Sequence, residues 1–357
     1  MTSVRTKRQV CVSDSAGVRE THEFKAKAAS MRIIVTGSAG HLGEALVRTL
    51  QNLSHEVVGI DILPSPLTTH SGSIIDRHFV QSCMRGVDVV LHTATLHKPH
   101  VGTHSRQDFI DTNITGTLNL LEAAVAAGVQ AFIFTSTTST FGGALTPPAG
   151  APAAWITEDV APVPKNIYGV TKVAAENLCE LIHRDRGLPC LILKTSRFFP
   201  EEDDRQATRE EYADGNSKAN EYLYRRVELE DAVSAHLLAM ERAASIGFDR
   251  YIISATTPFC QSDLEELRVN APAVVQRLFP DYVATYASLG WEMFPSIERV
   301  YVNERARRDL GWNPRYDFRF VLDRLIAGED PRSSLARDVG SKGYHSRSFA
   351  EGPYPVG

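Results

Sequence analysis

From Met31 onward the chain alternates short apolar runs with longer segments of helical spacing. The runs are "RIIVT" (32–36), "EVVGID" (56–61), "VDVVLHTAT" (87–95), "QAFIFTST" (130–137), "CLILKT" (190–195) and "RYIISA" (250–255). They are rich in β-branched residues and lack the apolar–polar alternation of a half-exposed strand. That pattern predicts strands buried on both faces. Between them, residues 44–50, 113–129, 168–187 and 227–243 repeat apolar positions at three- and four-residue intervals, as helices do. Strand and helix in alternation predict an α/β fold, a doubly wound parallel sheet with helices on both faces.

The first thirty residues lack this pattern and lack the apolar stretch of a secretory signal, so they are expected to form a flexible extension. The large domain is expected over 31–197 and 228–256. A smaller, mostly C-terminal substrate-binding domain is expected over 198–227 and 257–327, and an irregular tail over 328–357. The segment "EEDDRQATREEYADGNSKANEY" (201–222) is too charged for a core and is expected on the surface beside the cleft.

Composition excludes several function classes. Among 357 residues, 38 Lys and Arg face 43 Asp and Glu, a net charge of −5, which gives no basic surplus for nucleic acid. No apolar run has the length of a membrane span. The five cysteines are dispersed without metal-ligand spacing, which points to a reducing, cytoplasmic setting. Four histidines (His92, His97, His100, His104) crowd one loop, but without an obvious carboxylate they are not assigned to a metal.

The first strand leads into Gly37, Gly40 and Gly43, and then into a helix. That geometry offers backbone N–H groups and a helix N-terminus to a pyrophosphate. Asp61 ends the second strand, 24 positions after Gly37. A carboxylate there accepts bonds from ribose hydroxyls and repels a 2′-phosphate, which favours NAD over NADP. The fold is therefore read as a Rossmann-type sheet. Ligands of such sheets bind beyond the carboxyl ends of the strands, which here carry Gly37, Asp61, Thr93, Ser136–Thr137 and Thr195–Arg197. Tyr168 opens the helix after the Ser/Thr-ended strand, and Lys172 lies one turn on, on the same face.

"TGSAGHLG", "VDVVLHTAT", "NITGTLNLLEAA", "FTSTTSTFG" and "YGVTK" together resemble the extended short-chain dehydrogenases/reductases, the NAD-dependent epimerase/dehydratase family, and most of all the sugar-nucleotide 4-epimerases. The resemblance covers about Met31 to Pro200, and more loosely runs to about Leu325. It implies an NAD-dependent enzyme acting on a secondary hydroxyl of a sugar nucleotide or sugar-like molecule. Net dehydrogenation of a sugar acid, polyol or other alcohol is the alternative reading, and a non-catalytic dinucleotide-sensing module is a third. The implied catalytic residues are Tyr168 as base and Lys172 as its partner, with Thr137 holding the reacting oxygen and Ser136 as runner-up. The implied cofactor residues are Gly37, Ala39, Gly40, His41, Leu42, Gly43, Asp61, Ile62, Ser73, Ile74, Thr93, Ala94, Thr95, Asn113, Thr135, Tyr168, Lys172 and Thr195. His97, Arg197 and Phe198 are placed on the substrate side. The resemblance also implies a homodimer formed through helices near 111–127 and 168–184.

A free phenol has a pKa of about 10, so tyrosine needs a nearby cation to serve as a base. Lys172 and the positive nicotinamide ring are expected to supply that charge. Two departures narrow the reaction. Relatives that eliminate water carry acidic residues after the Thr, where this chain has Thr138 and Ser139. Arg197 stands where the 4-epimerases keep an Asn. A guanidinium there fits an anionic substrate group, or else pairs with the nearby Glu201, Glu202, Asp203 or Asp204.

Overall fold

In the computed structural model, residues 30–343 are described, together with His345 and Phe349. Of the extension expected over residues 1–30, all but Ser30 lies outside them. The apolar runs become strands. β1 (Arg32–Thr36) is followed by α1 (His41–Asn52), β2 (Glu56–Asp61), β3 (His70–Ser71), α2 (Arg77–Cys83) and β4 (Val89–His92). Next come α3 (Arg106–Ile110), a single π-helical turn over Asp111–Thr115, α4 (Gly116–Ala127) and β5 (Ala131–Thr137). A 3-10 segment, Thr138–Leu145, leads to β6 (Ala154–Ile156), then α5 (Ile167–Arg186) and β7 (Cys190–Thr195). The remainder holds α6 (Gln206–Glu211), α7 (Asp214–Glu221), α8 (Leu229–Ile246), β8 (Phe248–Ile253), α9 (Leu264–Leu278), α10 (Tyr282–Leu289), β9 (Arg299–Tyr301), α11 (Glu304–Leu310), α12 (Phe318–Ile326) and α13 (Ser334–Val339).

Seven strands form one sheet in the order β3-β2-β1-β4-β5-β7-β8, and every pairing is parallel. Successive residues of β1 face opposite layers. Ile33 and Val35 pack with residues of α1 and α8, while Ile34 packs with residues of α2, α4 and α5. This two-sided burial is why the runs are apolar throughout. The chain leaves β1 toward β2 on one side, whereas β4 lies on the other. The crevice at the carboxyl ends of β1 and β4 is therefore the topological switch point.

A third core, including Tyr222, Leu223, Leu267, Val274, Tyr286 and Phe318, belongs to the smaller layer. Its two-stranded parallel sheet pairs β9 with β6, so residues 154–156, which the sequence reading put in the large domain, are shared: Trp155 packs on the third core and Ile156 with Phe141 and Ile252. Two further expectations are corrected. The tail is not wholly irregular, because α13 forms within it and Leu335, Ala336 and Val339 pack against the α1–α8 core. The charged segment is not a surface feature alone. Glu201, Asp203, Asp204 and Glu221 are buried: arginines from neighbouring segments meet the last three, and His41 meets Glu201. Among the described residues no helix is long and apolar enough to cross a membrane.

Candidate active site

The glycine turn closes on itself before α1 begins. Gly37 has φ +72°, and a Cβ there would lie 2.9 Å from both the Ala94 nitrogen and the Thr93 hydroxyl. A Cβ on Gly43 would come within 1.9 Å of the Gly37 carbonyl. Only glycines allow this approach of helix to strand. Gly40 caps α1 without a side-chain bond, so the helix end at His41 and Leu42 presents backbone donors, as an anion requires. Asp61 stands beside the turn, accepting the Ala39 amide at 3.0 Å and the Leu63 amide at 2.9 Å. Ile62 beyond it is exposed, whereas Ile74 is buried, with Gly116 so close that a Cβ there would meet it at 2.6 Å. The Ser73 hydroxyl accepts the Ile75 amide at 3.2 Å and so ties off its own loop.

A chain of hydroxyls fixes the ends of β1 and β4. The Thr36 hydroxyl accepts the amides of Thr93 and Ala94, each at 3.0 Å, so its proton goes to His92 Nδ1 at 2.7 Å. His92 must then carry its own proton on Nε2, which donates to Thr117 at 2.9 Å. Burial, reinforced by the charge of Lys172, pushes this imidazole well below its usual range, consistent with a neutral ring. Asn113 sits in the π-helical turn, and its amide is fully used. Its oxygen accepts Thr95 Oγ1 and the Leu96 amide, and its nitrogen donates to the Leu96 carbonyl and Thr171 Oγ1, all at 2.9–3.0 Å.

Tyr168 and Lys172 occupy one buried face of α5, whose start is capped by the Asn166 side chain. The Thr137 hydroxyl lies close enough to the Tyr168 phenol to favour its ionised form. Burial pushes the phenol up to about 12, and Thr137 offsets part of that rise. Lys172 does not lower it in this arrangement. Its ammonium donates to the Thr135 carbonyl at 2.6 Å and lies 4.0 Å over the Phe134 ring. Burial pushes Lys172 itself down to about 7, against the opposing charge of Glu176. The Lys172 ammonium is thus engaged by the Thr135 carbonyl and the Phe134 ring.

Of the two hydroxyls weighed for the reacting oxygen, only Thr137 reaches Tyr168. Ser136 donates to Glu176, whose carboxylate also takes Lys194 on both oxygens at 2.7 Å, while Lys194 reaches Thr140 at 3.0 Å. Thr135 donates to His236 Nε2 at 2.8 Å, and Thr195 donates to the Ser136 carbonyl at 3.0 Å.

The substrate-side residues separate. His97 lies 5.4 Å from the Phe199 ring, and Phe198 packs on Phe199 at 4.3 Å, so these border the crevice. Arg197 is drawn into an ion-pair cluster. It donates to Asp203 at 2.6 Å and to the Glu202 carbonyl at 3.1 Å, with Glu221 at 3.6 Å and Asp204 at 3.7 Å. A cavity of about 410 Å³, lined by His41, Phe198, Lys218 and Trp291 among others, opens between α7, α12 and α13, and neither Tyr168 nor Thr137 lines it. Among the described residues no group of three or more His, Cys, Asp or Glu is placed to hold a metal.

Residues 33–254 match the sequence pattern of the NAD dependent epimerase/dehydratase family. The chain belongs to that family. It is an NAD-dependent enzyme of the extended short-chain dehydrogenase/reductase type. A 3 beta-hydroxysteroid dehydrogenase/Delta 5-->4-isomerase of Mycobacterium tuberculosis is 26% identical over 347 residues, covering 83% of this chain and 89% of the relative. A UDP-glucose 4-epimerase of Streptomyces lividans is 31% identical over 160 residues, covering 42% and 46%. Among solved structures, a short-chain dehydrogenase/reductase superfamily protein of Agrobacterium tumefaciens with bound NAD superposes with a TM-score of 0.59 at 24% identity, covering 86% of this chain and 99% of that one. The UDP-glucose 4-epimerase of Thermotoga maritima with UDP-glucose gives 0.57 at 21% identity, covering 84% and 99%.

The uncapped helix end and the glycine turn suit a pyrophosphate, and Asp61 suits a ribose. The sequence reading missed Glu176 and Lys194. Two signals were present: Glu176 follows Lys172 by one turn on the same face, and Lys194 is a lone charge inside an otherwise apolar strand.

Proposed function

We propose that this enzyme oxidises a secondary hydroxyl of a sugar nucleotide or sugar-like substrate through Tyr168, passing through a transient ketone that is reduced again in epimerisation. The observation that carries the reading is the buried Tyr168 phenol beside Thr137, with Lys172 one turn away on the same buried helix face. Thr137 fixes the substrate hydroxyl beside the phenol. Tyr168 takes the hydroxyl proton as the carbon loses hydride. Bound NAD supplies the hydride acceptor and a positive charge that favours phenolate. Lys172 is placed to hold the nicotinamide ribose and to share its proton, since burial brings it to about 7. Gly37–Gly43 and Asp61 hold the pyrophosphate and the adenosine ribose.

A second reading is net dehydrogenation of a less polar alcohol, with NADH released. Relatives named as hydroxysteroid dehydrogenases align over 80–83% of the chain, whereas the named 4-epimerase of Streptomyces aligns over 42%. The commitment of Arg197 to buried carboxylates also weakens the case for an anionic substrate. The deciding experiment is a screen of sugar nucleotides, free sugars, sugar acids, polyols and 3β-hydroxysteroids with NAD. NADH accumulation marks a dehydrogenase, and an epimeric product without net NADH marks an epimerase. Reaction with none of these overturns both readings.

We also infer a homodimer through α4 and α5, whose outer surface leaves Val170 and Leu181 exposed. Light scattering at micromolar concentration is expected to give twice the chain mass, and a monomer there overturns the inference.

A further inference from the structure

The segment after α13 runs back across the mouth of the switch-point crevice. Gly340 and Gly343 have φ of +62° and +66°, with Ser341 and Lys342 between them. Glu201 is the hub of this segment. This buried carboxylate accepts the Ser341 hydroxyl at 2.7 Å and the amides of Lys342 and Gly343, each at 3.1 Å. The same oxygen lies 2.8 Å from Nε2 of His41, the first residue of α1 after the glycine turn. The Lys342 ammonium reaches Glu44 one turn further along α1. Beyond Gly343, His345 donates to the Pro99 carbonyl at 3.0 Å and packs 5.3 Å from the His100 ring, both in the loop that follows β4. The segment is thus anchored on both lips of the crevice, at α1 after β1 and at the loop after β4.

We propose that Gly340–Gly343, continued by His345, is a strap that closes the dinucleotide site, so that NAD is held through turnover and exchanges only when the strap lifts. The proposal rests on the cofactor lying along Gly37–Gly43. It sharpens the choice between the two readings above, because a retained cofactor suits epimerisation and hinders the release that net dehydrogenation needs. The carboxylate of Glu201 stays ionised: burial opposes this, but His41 and Ser341 hold it down at about 2. The latch is therefore charge-assisted at neutral pH. Gly340 is the hinge. A Cβ there meets nothing closer than the Arg337 carbonyl at 3.8 Å, so a side chain would strain only the backbone.

The test uses the full chain and follows NADH release by fluorescence after rapid mixing with excess NAD. Glu201→Gln and Gly340→Ala are each expected to release NADH about tenfold faster, the loss of a charge-assisted bond or of the hinge geometry. In the wild type, trypsin cleavage after Lys342 is expected to slow when NADH saturates the enzyme, because a strap that retains the cofactor is itself retained by it. Unchanged release in both variants, with only a lowered melting temperature, makes the segment a clasp of the fold and overturns the proposal. So does equal trypsin cleavage with and without NADH, a measurement that needs no variant to fold. Release is measured without turnover, so an error in the role of Tyr168 leaves this result intact.

Discussion

The two walls of the crevice are built from different chemistry. At the ends of β1, β4 and β5 the polar groups beside the glycine turn are mostly neutral. Thr36, His92, Thr117 and Asn113 pass hydrogen bonds from one to the next with each proton placed, and Thr137 lies beside the phenol of Tyr168. After β7 the wall is ionic. Arg197, Arg225 and Arg226 surround Glu221, and Asp203 and Asp204 close the cluster. The neutral wall leaves the charges of a bound dinucleotide and of Tyr168 uncontested. The ionic wall uses its charges on itself, so it acts as scaffold, although its composition reads like a binding surface.

The largest effect is expected on the neutral wall. Tyr168→Phe removes the proton acceptor and should lower turnover by roughly 10²–10⁴-fold. Dinucleotide affinity should barely move, because the glycine turn, Asp61 and Lys172 are all retained. Single-turnover kinetics with a parallel NADH titration separates the two. Near-normal turnover would mean that another group takes the proton.

On the ionic wall, Glu221→Gln should cost about 3 kcal/mol in urea unfolding, since it leaves buried guanidinium groups without their shared anion. The cost should depend on pH in a definite direction. Burial opposes ionisation of Glu221, but Arg225, Arg197 and Arg226 hold its carboxyl down at about 2, well under the unfolded value of about 4.3. A depressed acid stabilises the fold above its unfolded pKa and loses that contribution as pH falls through the folded one. The gap between wild type and Glu221→Gln should therefore be full above about pH 5 and shrink toward pH 2. Glu201 titrates in the same direction but is present in both proteins, so the difference isolates Glu221. A gap independent of pH would show that packing, not charge, holds this wall.

These walls also differ in how far the sequence announced them. Strand order along the chain, the glycine turn, Asp61 and the Tyr168–Lys172 spacing follow from periodicity and from residues a few positions apart. The ionic wall joins residues 197, 203, 221, 225 and 226, and its meaning depends on which charges face one another. In the sequence, "EEDD" reads as solvated surface; in the fold Asp203 and Asp204 are buried against arginines and Glu201 against His41, while Glu202 stays exposed. The strap was illegible for the same reason, because "GSKGYH" acquires sense only when Glu201 and His41 come to meet it. The surroundings of the Tyr168–Lys172 pair were also only partly legible from spacing. One helical turn places Lys172 near Tyr168, but spacing says nothing of the Thr135 carbonyl that takes its ammonium.

Arg197 is the sharpest probe of the contrast. Its guanidinium is already bonded to Asp203 and to the Glu202 carbonyl, so Arg197→Ala should lower stability by about 2 kcal/mol, the scale of a charge-assisted bond. The Michaelis constant for whichever substrate the screen finds should stay within about threefold, as expected of a residue that makes no uniform binding contact. Arg197→Lys should recover part of the stability, because a point charge lacks the fork. A large rise in the Michaelis constant with stability unchanged would move Arg197 to the substrate and restore the anionic-group expectation.

The smallest effect concerns a carboxylate at the edge of the neutral wall. Asp61 ends β2 beside the glycine turn and accepts the Ala39 amide, so it stiffens the turn and sets a negative charge at the ribose position. Those two roles predict different outcomes. If charge selects the cofactor, Asp61→Asn keeps the size and one acceptor, weakens NAD little and relieves repulsion of a 2′-phosphate. The preference for NAD over NADP should then narrow by about tenfold, the scale of one charge-assisted bond. If Asp61 acts mainly through the Ala39 amide, Asp61→Ala should weaken both cofactors together and leave their ratio unchanged. Titrating wild type and both variants with NADH and NADPH by fluorescence resolves the two. A ratio that survives both substitutions would mean that the selection against the 2′-phosphate lies outside Asp61, in the loop that begins at Ile62.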